Sequence, residues 1–249
     1  MPASAANSGI PFHKLFSYYR FDNSFLDQRT ANNASGTNVA FQTSPKRAGT
    51  HSAKFDSGTG NPTATPSYGN IPYSSDFDFG NGTTNRAFSI SFWIYPTAEN
   101  TLTFFITKRG LPTNSEFIVV YNPSIGFQFI LFDEFQREAS GNVSFLRAIN
   151  SAFYNLNTWQ MVTATYDGVS DIDIYVNEAP TTSTENSNSF SRIKTYESDV
   201  IIGVDGSDKN DANRSFNGNK DCLSFFNAKL TPDQIGLMYQ KGLNNLELI

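Results

Sequence analysis

The sequence predicts an all-β protein, a sandwich or barrel of short strands with a single helix near its end. Three observations carry this. Phe (23) and Tyr (11) dominate an aromatic content of 14%, and such residues suit the half-buried face of a pleated sheet. Short apolar runs, several alternating with period two, recur between turn signals. Only one segment carries helix signals at both ends. A length of 249 residues fits one large β domain.

Residues 1–11 read as a tail or docking arm, and FHKLFSYYRFDNSFLD (12–27) is aromatic-rich and strand-like. A polar loop covers 28–38, and HSAKF (51–55) reads as a short strand. Residues 57–72 are dense in Gly and Pro and read as a loop, because Pro cannot donate to a sheet ladder. In AFSISFWIYP (87–96), Phe88, Ile90, Phe92 and Ile94 share one face; Ser89, Ser91, Trp93 and Tyr95 share the other. That is the pattern of a strand packed on one side. TLTFFITK (101–108), EFIVVY (116–121) and GFQFILF (126–132) follow as strands.

The hairpin signal lies at 158–177. Its first arm runs from Trp159 to Tyr166, and Asp167-Gly168 suits a turn with positive φ. In the second arm Ile172, Ile174 and Val176 alternate with Asp173, Tyr175 and Asn177. Residues 179–191 and 205–215 read as loops, DVIIGV (199–204) as a strand, and 215–230 again as strand-like. The helix falls in LTPDQIGLMYQKG (230–242). Thr231 fits its N-cap, Pro232 the first position, Gln234 the capping-box partner and Gly242 the stop, with Leu230 and Ile235 at staple spacing. No repeat or linker divides the chain, so one domain is expected over 12–243, followed by a tail at 244–249. The scarcity of helix excludes βαβ folds.

The order of these segments resembles the concanavalin A-like lectin/glucanase superfamily, especially its laminin-G-like jelly-roll domains. The resemblance is carried by SYYRFDNSFLD, HSAKFD, FSISFWIYP, ITK, NTWQMVTATYDGVSDIDIYVN, VIIGVDG and FNGNKDCLSFFNAKLTPDQIGLMYQKG, over roughly residues 15–243. YVNEAP (175–180) departs from the pattern by lacking the usual Gly after the hairpin arm. The resemblance implies a two-sheet antiparallel jelly-roll sandwich with one short C-terminal helix, with about six or seven strands per sheet. Its members bind sugars, proteins or calcium, and some hydrolyse glycans.

Net charge is −5 and no run of Lys or Arg forms a basic stripe, which argues against nucleic-acid binding. MPASAANSGIPFHK lacks the basic start and apolar core of a secretion signal. No apolar run is long enough to span a membrane, so the chain is expected to be soluble and unprocessed. The polar, small-residue ends need something to hold them, and a surrounding assembly is one candidate.

A glycosidase needs two carboxylates flanking the bond. The nearest acidic group, Asp133, Glu134 and Glu138, does not keep strand alternation and reads as a turn. His13 and His51 accompany no nucleophile motif, and the single cysteine, Cys222, reads as buried filler. No catalytic residue is assigned. For a hard cation such as calcium, the resemblance implies a site where the chain ends meet, with Asp27 and Asp221 in the comparable segments. Asp205, Asp208 and Asp211 form a further acidic loop, which lacks an EF-hand pattern and reads as a polar, solvated loop. Trp93 and Tyr95 are the candidate carbohydrate platform, the alternative being that both rings are core. Sequons begin at Asn33, Asn81, Asn142 and Asn213, as a chain this rich in Asn, Ser and Thr produces by composition.

The expected function is a non-catalytic structural or adhesion protein displaying a lectin-like domain. Its expected setting is a virion (capsid decoration, tail or fibre), as a homo-oligomer among other virion structural proteins, with weak contact to cell-surface glycans. The alternatives are a free carbohydrate-binding module, extracellular or on a cell surface, and a glycoside hydrolase.

Overall fold

The computed structural model describes residues 9–58, 65–110, 114–133 and 143–249. In chain order the strands are β1 (Leu15–Tyr19), β2 (Ser35–Thr37), β3 (Ala40–Gln42), β4 (Ser52–Phe55), β5 (Tyr68–Ile71), β6 (Phe88–Pro96), β7 (Thr103–Arg109) and β8 (Ser115–Asn122), then β9 (Gly126–Asp133), β10 (Ser144–Asn150), β11 (Gln160–Tyr166), β12 (Ile172–Val176), β13 (Ser183–Ser187), β14 (Val200–Ile202) and β15 (Gly218–Phe226). Helix α1 (Pro232–Leu243) follows. Among the described residues they form two antiparallel sheets. One is seven-stranded, in the order β12-β11-β6-β15-β4-β3 with β1 added to β15; the other is eight-stranded, in the order β13-β10-β9-β8-β7-β14-β5-β2. This is the predicted jelly-roll sandwich.

The alternation in the sequence fixes which faces meet. Phe88, Ile90, Phe92 and Ile94 enter the core between the sheets with Phe105, Phe117, Phe129, Val162 and Ile174. Phe79 and Phe88 stack there at 3.7 Å between centroids. The opposite face of the seven-stranded sheet carries a second apolar layer, in which Trp93, Met161 and Tyr175 meet Ile235 and Met238 of α1. The molecule therefore has three layers: sheet, sheet, helix.

Three expected loops contain strands. β2 and β13 (SGT and STENS) are polar edge strands with exposed or half-buried side chains, so no apolar period announces them. β5 fits between Pro66 and Pro72, where four residues keep their N–H groups. β10 also escapes a simple reading. At the hairpin, Asp167 Oδ1 accepts from the backbone N–H groups of Val169, Ser170 and Asp171, and Gly168 takes φ +87°. Where the family's Gly is missing, Asn177 adopts the left-handed conformation instead, at φ +58°.

Helix α1 begins as predicted, with a complete Thr231–Gln234 capping box and Pro232 in the first turn. Gly242 is not the stop. It lies inside the last turn, where a Cβ would overlap the Trp93 indole, so its role is close approach of helix to sheet. Residues 244–249 fold back on the domain. Leu248 is buried, its N–H meets Tyr18 Oη at 3.2 Å, and Glu247 pairs with Arg20. Gly9 and Ile10 dock beside α1. Residues 9–10 and 244–249 are thus held against the domain by its own contacts.

Candidate functional site

The two rings proposed from the sequence part company in the structure. Trp93 is only 4% exposed. Tyr239 of α1 stacks on it at 5.5 Å and 15°, and the Arg47 guanidinium lies 4.6 Å from its centroid. It is the seat of the helix and presents no open face to a sugar. Tyr95, two residues further along β6, lies past the helix and is half-buried. Its neighbour is a ring the sequence reading left in the hairpin arm: Trp159, half-buried, with centroids 5.5 Å apart and planes at 56°. Alternation along that arm puts Trp159, Met161 and Thr163 on one face, and that signal was available in the sequence.

Strand register explains the pairing. Gln160 pairs with Ile94, and Asn219 lies between Tyr95 and Lys54. Trp159, Tyr95, Asn219 and Lys54 therefore form one row on the outer face of the seven-stranded sheet. Asn219 is buried and its amide is occupied, donating to Ser52 Oγ at 2.9 Å and Gln42 Oε1 at 3.3 Å. The polar groups left at the surface are Lys54, Thr97 and Asn217. Asn217 Oδ1 accepts from Thr97 Oγ1 at 2.9 Å and Lys54 Nζ at 3.4 Å, and its amide donates to Ser57 Oγ at 3.2 Å. Burial holds the Lys54 ammonium below its ordinary range, with Asp56 opposing. Two tilted rings beside a fixed amide and an ammonium can hold a flat, hydroxyl-bearing molecule: rings for C–H faces, polar groups for hydroxyls.

The carboxylates proposed for calcium have other partners. Asp27 accepts from Ser17 Oγ, the Tyr18 N–H, the Arg29 N–H and Thr30 Oγ1, all within 2.6–3.0 Å. Both its oxygens face donors, the reverse of what a cation requires. Asp221 is fully buried, accepts from the Arg47 and Ala48 N–H groups, and is pushed up to about 7 by burial. Among the described residues no three His, Cys, Asp or Glu side chains converge on one point. These residues do not fit a calcium site. In the acidic loop, Asp205 is bound by Ser207 and Arg214, and Asp211 by Asn213 and Arg214.

Asp133 sits at the end of β9, where Oδ2 anchors the backbone of Ser191 and Arg192; Glu134 and Glu138 lie outside the described residues. Cys222 packs in the helix layer, where burial and then Asp221 push its thiol up, away from nucleophilic use. His51 and His13 stand on separate segments, and His51 Nδ1 meets Thr50 Oγ1 at 2.9 Å. A buried ion cluster went unnoticed in the sequence. Lys108 Nζ bonds Asp78 at 2.6 Å and Glu116 at 2.7 Å, and burial pushes Glu116 up to about 7 against the lowering effect of that lysine. Near Asp78 lies a hollow of about 590 Å³ lined by Ser75, Asn81, Thr84, Arg86 and Thr195. It offers no ring, and the Arg86 guanidinium is bonded to the carbonyls of Ser75 and Asp78. The Tyr95–Trp159 face is the better candidate.

Among the described residues no helix is long and apolar enough to cross a membrane. No curated protein matches the sequence. Among solved structures, the chain is similar to domain 4 of AbnA, a GH43 extracellular arabinanase from Geobacillus stearothermophilus, in complex with arabinotriose. Identity is 18%, TM-score 0.58, with 91% of this chain and 98% of that one covered. It is also similar to the binding domain of Paraclostridial Mosquitocidal Protein 1 (14% identity, TM-score 0.67, 91% of this chain, 52% of that one) and to the botulinum neurotoxin serotype D binding domain (16%, 0.63, 91% and 50%). The chain spans about half the length of these two toxin domains. At such identities the likeness shows the fold alone. A laminin-G family model matches residues 64–236, which is more than half of the sequence, and the chain belongs to the concanavalin A-like lectin/glucanases superfamily.

Proposed function

We propose that the protein is a non-catalytic carbohydrate-binding domain whose sugar-contacting face is the outer edge of the seven-stranded sheet at Tyr95 and Trp159. The observation that carries this is the pair of half-buried rings at 5.5 Å beside the fixed Asn217 amide and Lys54. The arabinanase domain, whose structure contains arabinotriose, supports the ligand class. The engaged state of Asp133 and the sealing of Glu116 inside the fold support the non-catalytic part.

A glycan array followed by calorimetric titration of the best ligand tests the reading. Tyr95→Ala and Trp159→Ala will each weaken binding about fivefold or more, since a stacked ring contributes on the order of 1–3 kcal/mol. Unchanged affinity in the double variant, with the fold intact by circular dichroism, would rule it out.

A second reading, display on a virion as a homo-oligomer, has one observation in its favour. Leu237, Leu243, Leu246 and Ile249 are exposed along α1 and the C-terminal segment, an apolar strip open to a neighbouring copy. Light scattering after size exclusion tests it: a monomer at all concentrations removes the strip as a self-interface.

A further inference from the structure

The loop between β10 and β11 carries an apolar ring without cover. Phe153 is 83% exposed, the highest value among the large apolar side chains of the described residues. The next residue, Tyr154, is buried in the inter-sheet core and stacks on Tyr121 at 4.5 Å and 15°. Tyr154 anchors the loop, and Phe153 projects from it into solvent.

The loop is clamped to the neighbours of both platform rings. The Phe153 carbonyl accepts from Gln160 Nε2 at 2.8 Å, and Gln160 follows Trp159. The Asn157 N–H donates to the carbonyl of Pro96 at 2.7 Å, and Pro96 follows Tyr95. Two further bonds fix the backbone: the Ala152 N–H donates to Asn150 Oδ1 at 2.9 Å, and the Asn155 N–H to Gln160 Oε1 at 2.8 Å. A lone apolar side chain on a surface signifies nothing by itself. Phe153 differs because it stands on a fixed backbone beside two other rings, where it offers contact area at little ordering cost.

The polar groups of the loop select the occupant. Asn155, Leu156, Asn157 and Thr158 are all exposed. The two asparagines hold the loop through their backbone N–H groups, which leaves both side-chain amides free at the surface. A lipid bilayer would strip water from these amides without replacing their hydrogen bonds. A sugar chain offers a C–H face to the ring and hydroxyls to the amides.

We propose that Phe153, with Leu156 and the amides of Asn155 and Asn157, forms a second sugar subsite continuous with Tyr95 and Trp159, so that this face takes an extended oligosaccharide rather than a single sugar. This rests on the reading of Tyr95 and Trp159 as the sugar platform. The platform holds one part of the chain, and Phe153 holds a unit further along it and sets the preferred length.

The test is calorimetric titration of the full chain with arabino-, xylo-, cello- and manno-oligosaccharide ladders, each from monosaccharide to hexasaccharide. In the ladder that binds, affinity will rise about fivefold or more at the length that reaches Phe153. Phe153→Ala will erase that rise and leave the affinity of shorter members unchanged. Phe153→Tyr, which keeps the ring, will retain it. The side chain is exposed, so both variants will keep the fold, checked by circular dichroism. Affinity independent of length overturns the subsite and leaves the platform standing. So does a Phe153→Ala variant that keeps the rise, or that weakens short and long members alike. Co-sedimentation with sugar-free phosphatidylcholine vesicles that is lost in Phe153→Ala assigns the loop to lipid and also overturns the subsite. Failure of every ladder to bind overturns the platform, and the subsite with it.

Discussion

Lys220 is the least expected residue in the core. Its place in β15 turns its side chain between the sheets, where it is 1% exposed and Nζ has no hydrogen-bond partner. The rings of Phe216, Phe92, Phe105 and Phe55 surround Nζ at 4.4, 4.8, 4.8 and 5.9 Å. Burial drives its pKa well below the ordinary 10.5. Replacement by Met keeps the length and apolar stem, removes the orphaned amine and leaves a sulfur that suits aromatic surroundings. An unsatisfied buried polar group costs about 1–3 kcal/mol, and burial disfavours the charged form, whose attraction to the rings (about 2 kcal/mol or more when desolvated) would offset that cost.

Lys220→Met will therefore stabilise the protein by about 2 kcal/mol at neutral pH. For a domain of this size that raises Tm by roughly 4–8 °C. Urea denaturation checks it, the midpoint rising with the m-value unchanged. Proton linkage supplies a second readout. Between the depressed folded pKa and 10.5 the unfolded chain holds one more proton than the folded one at this site. Wild-type stability thus gains a contribution that grows with pH and is complete only above 10.5. The variant loses that contribution. A destabilised variant, or one that keeps it, would show that the amine is paired and refute the reasoning.

The remaining predictions concern the helix seat and the buried acid. Gly242→Ala places a methyl group on the Trp93 ring and will cost about 1–3 kcal/mol by overpacking; near-ultraviolet circular dichroism will show the altered indole environment. Trp93→Ala empties the same seat and will cost about 3–5 kcal/mol in thermal or urea denaturation. Glu116 is raised from 4.5 to about 7, so the stability its protonated form provides is complete below about 4.5 and is lost as pH rises through about 7. Glu116→Gln will flatten that decline, read from urea midpoints across the window; an unchanged pH profile would contradict the burial of this carboxyl.

The legible and hidden parts of the structure differ physically. β6, β11 and β12 alternate because one face of each meets the inter-sheet core, and the N-terminus of α1 was readable from Thr231, Pro232 and Gln234, whose signals are local. β2 and β13 were hidden because polar edge strands that bury no apolar side chain carry no alternation to read. Trp93 was misassigned as an open platform for a different reason. Alternation says that it leaves the inner core, but not that a helix 140 residues later returns to cover it. The same limit applies to Asp221, Lys108 and Lys220, whose partners or missing partners depend on contacts between separate segments.

The indole N–H signals of the two tryptophans test the central claim most directly. In a ¹⁵N-labelled sample titrated with a bound oligosaccharide, the Trp159 indole peak will shift progressively while the Trp93 peak, shielded beneath α1, stays in place. Saturable binding that moves Trp93 and leaves Trp159 untouched, or that moves neither, would contradict the account.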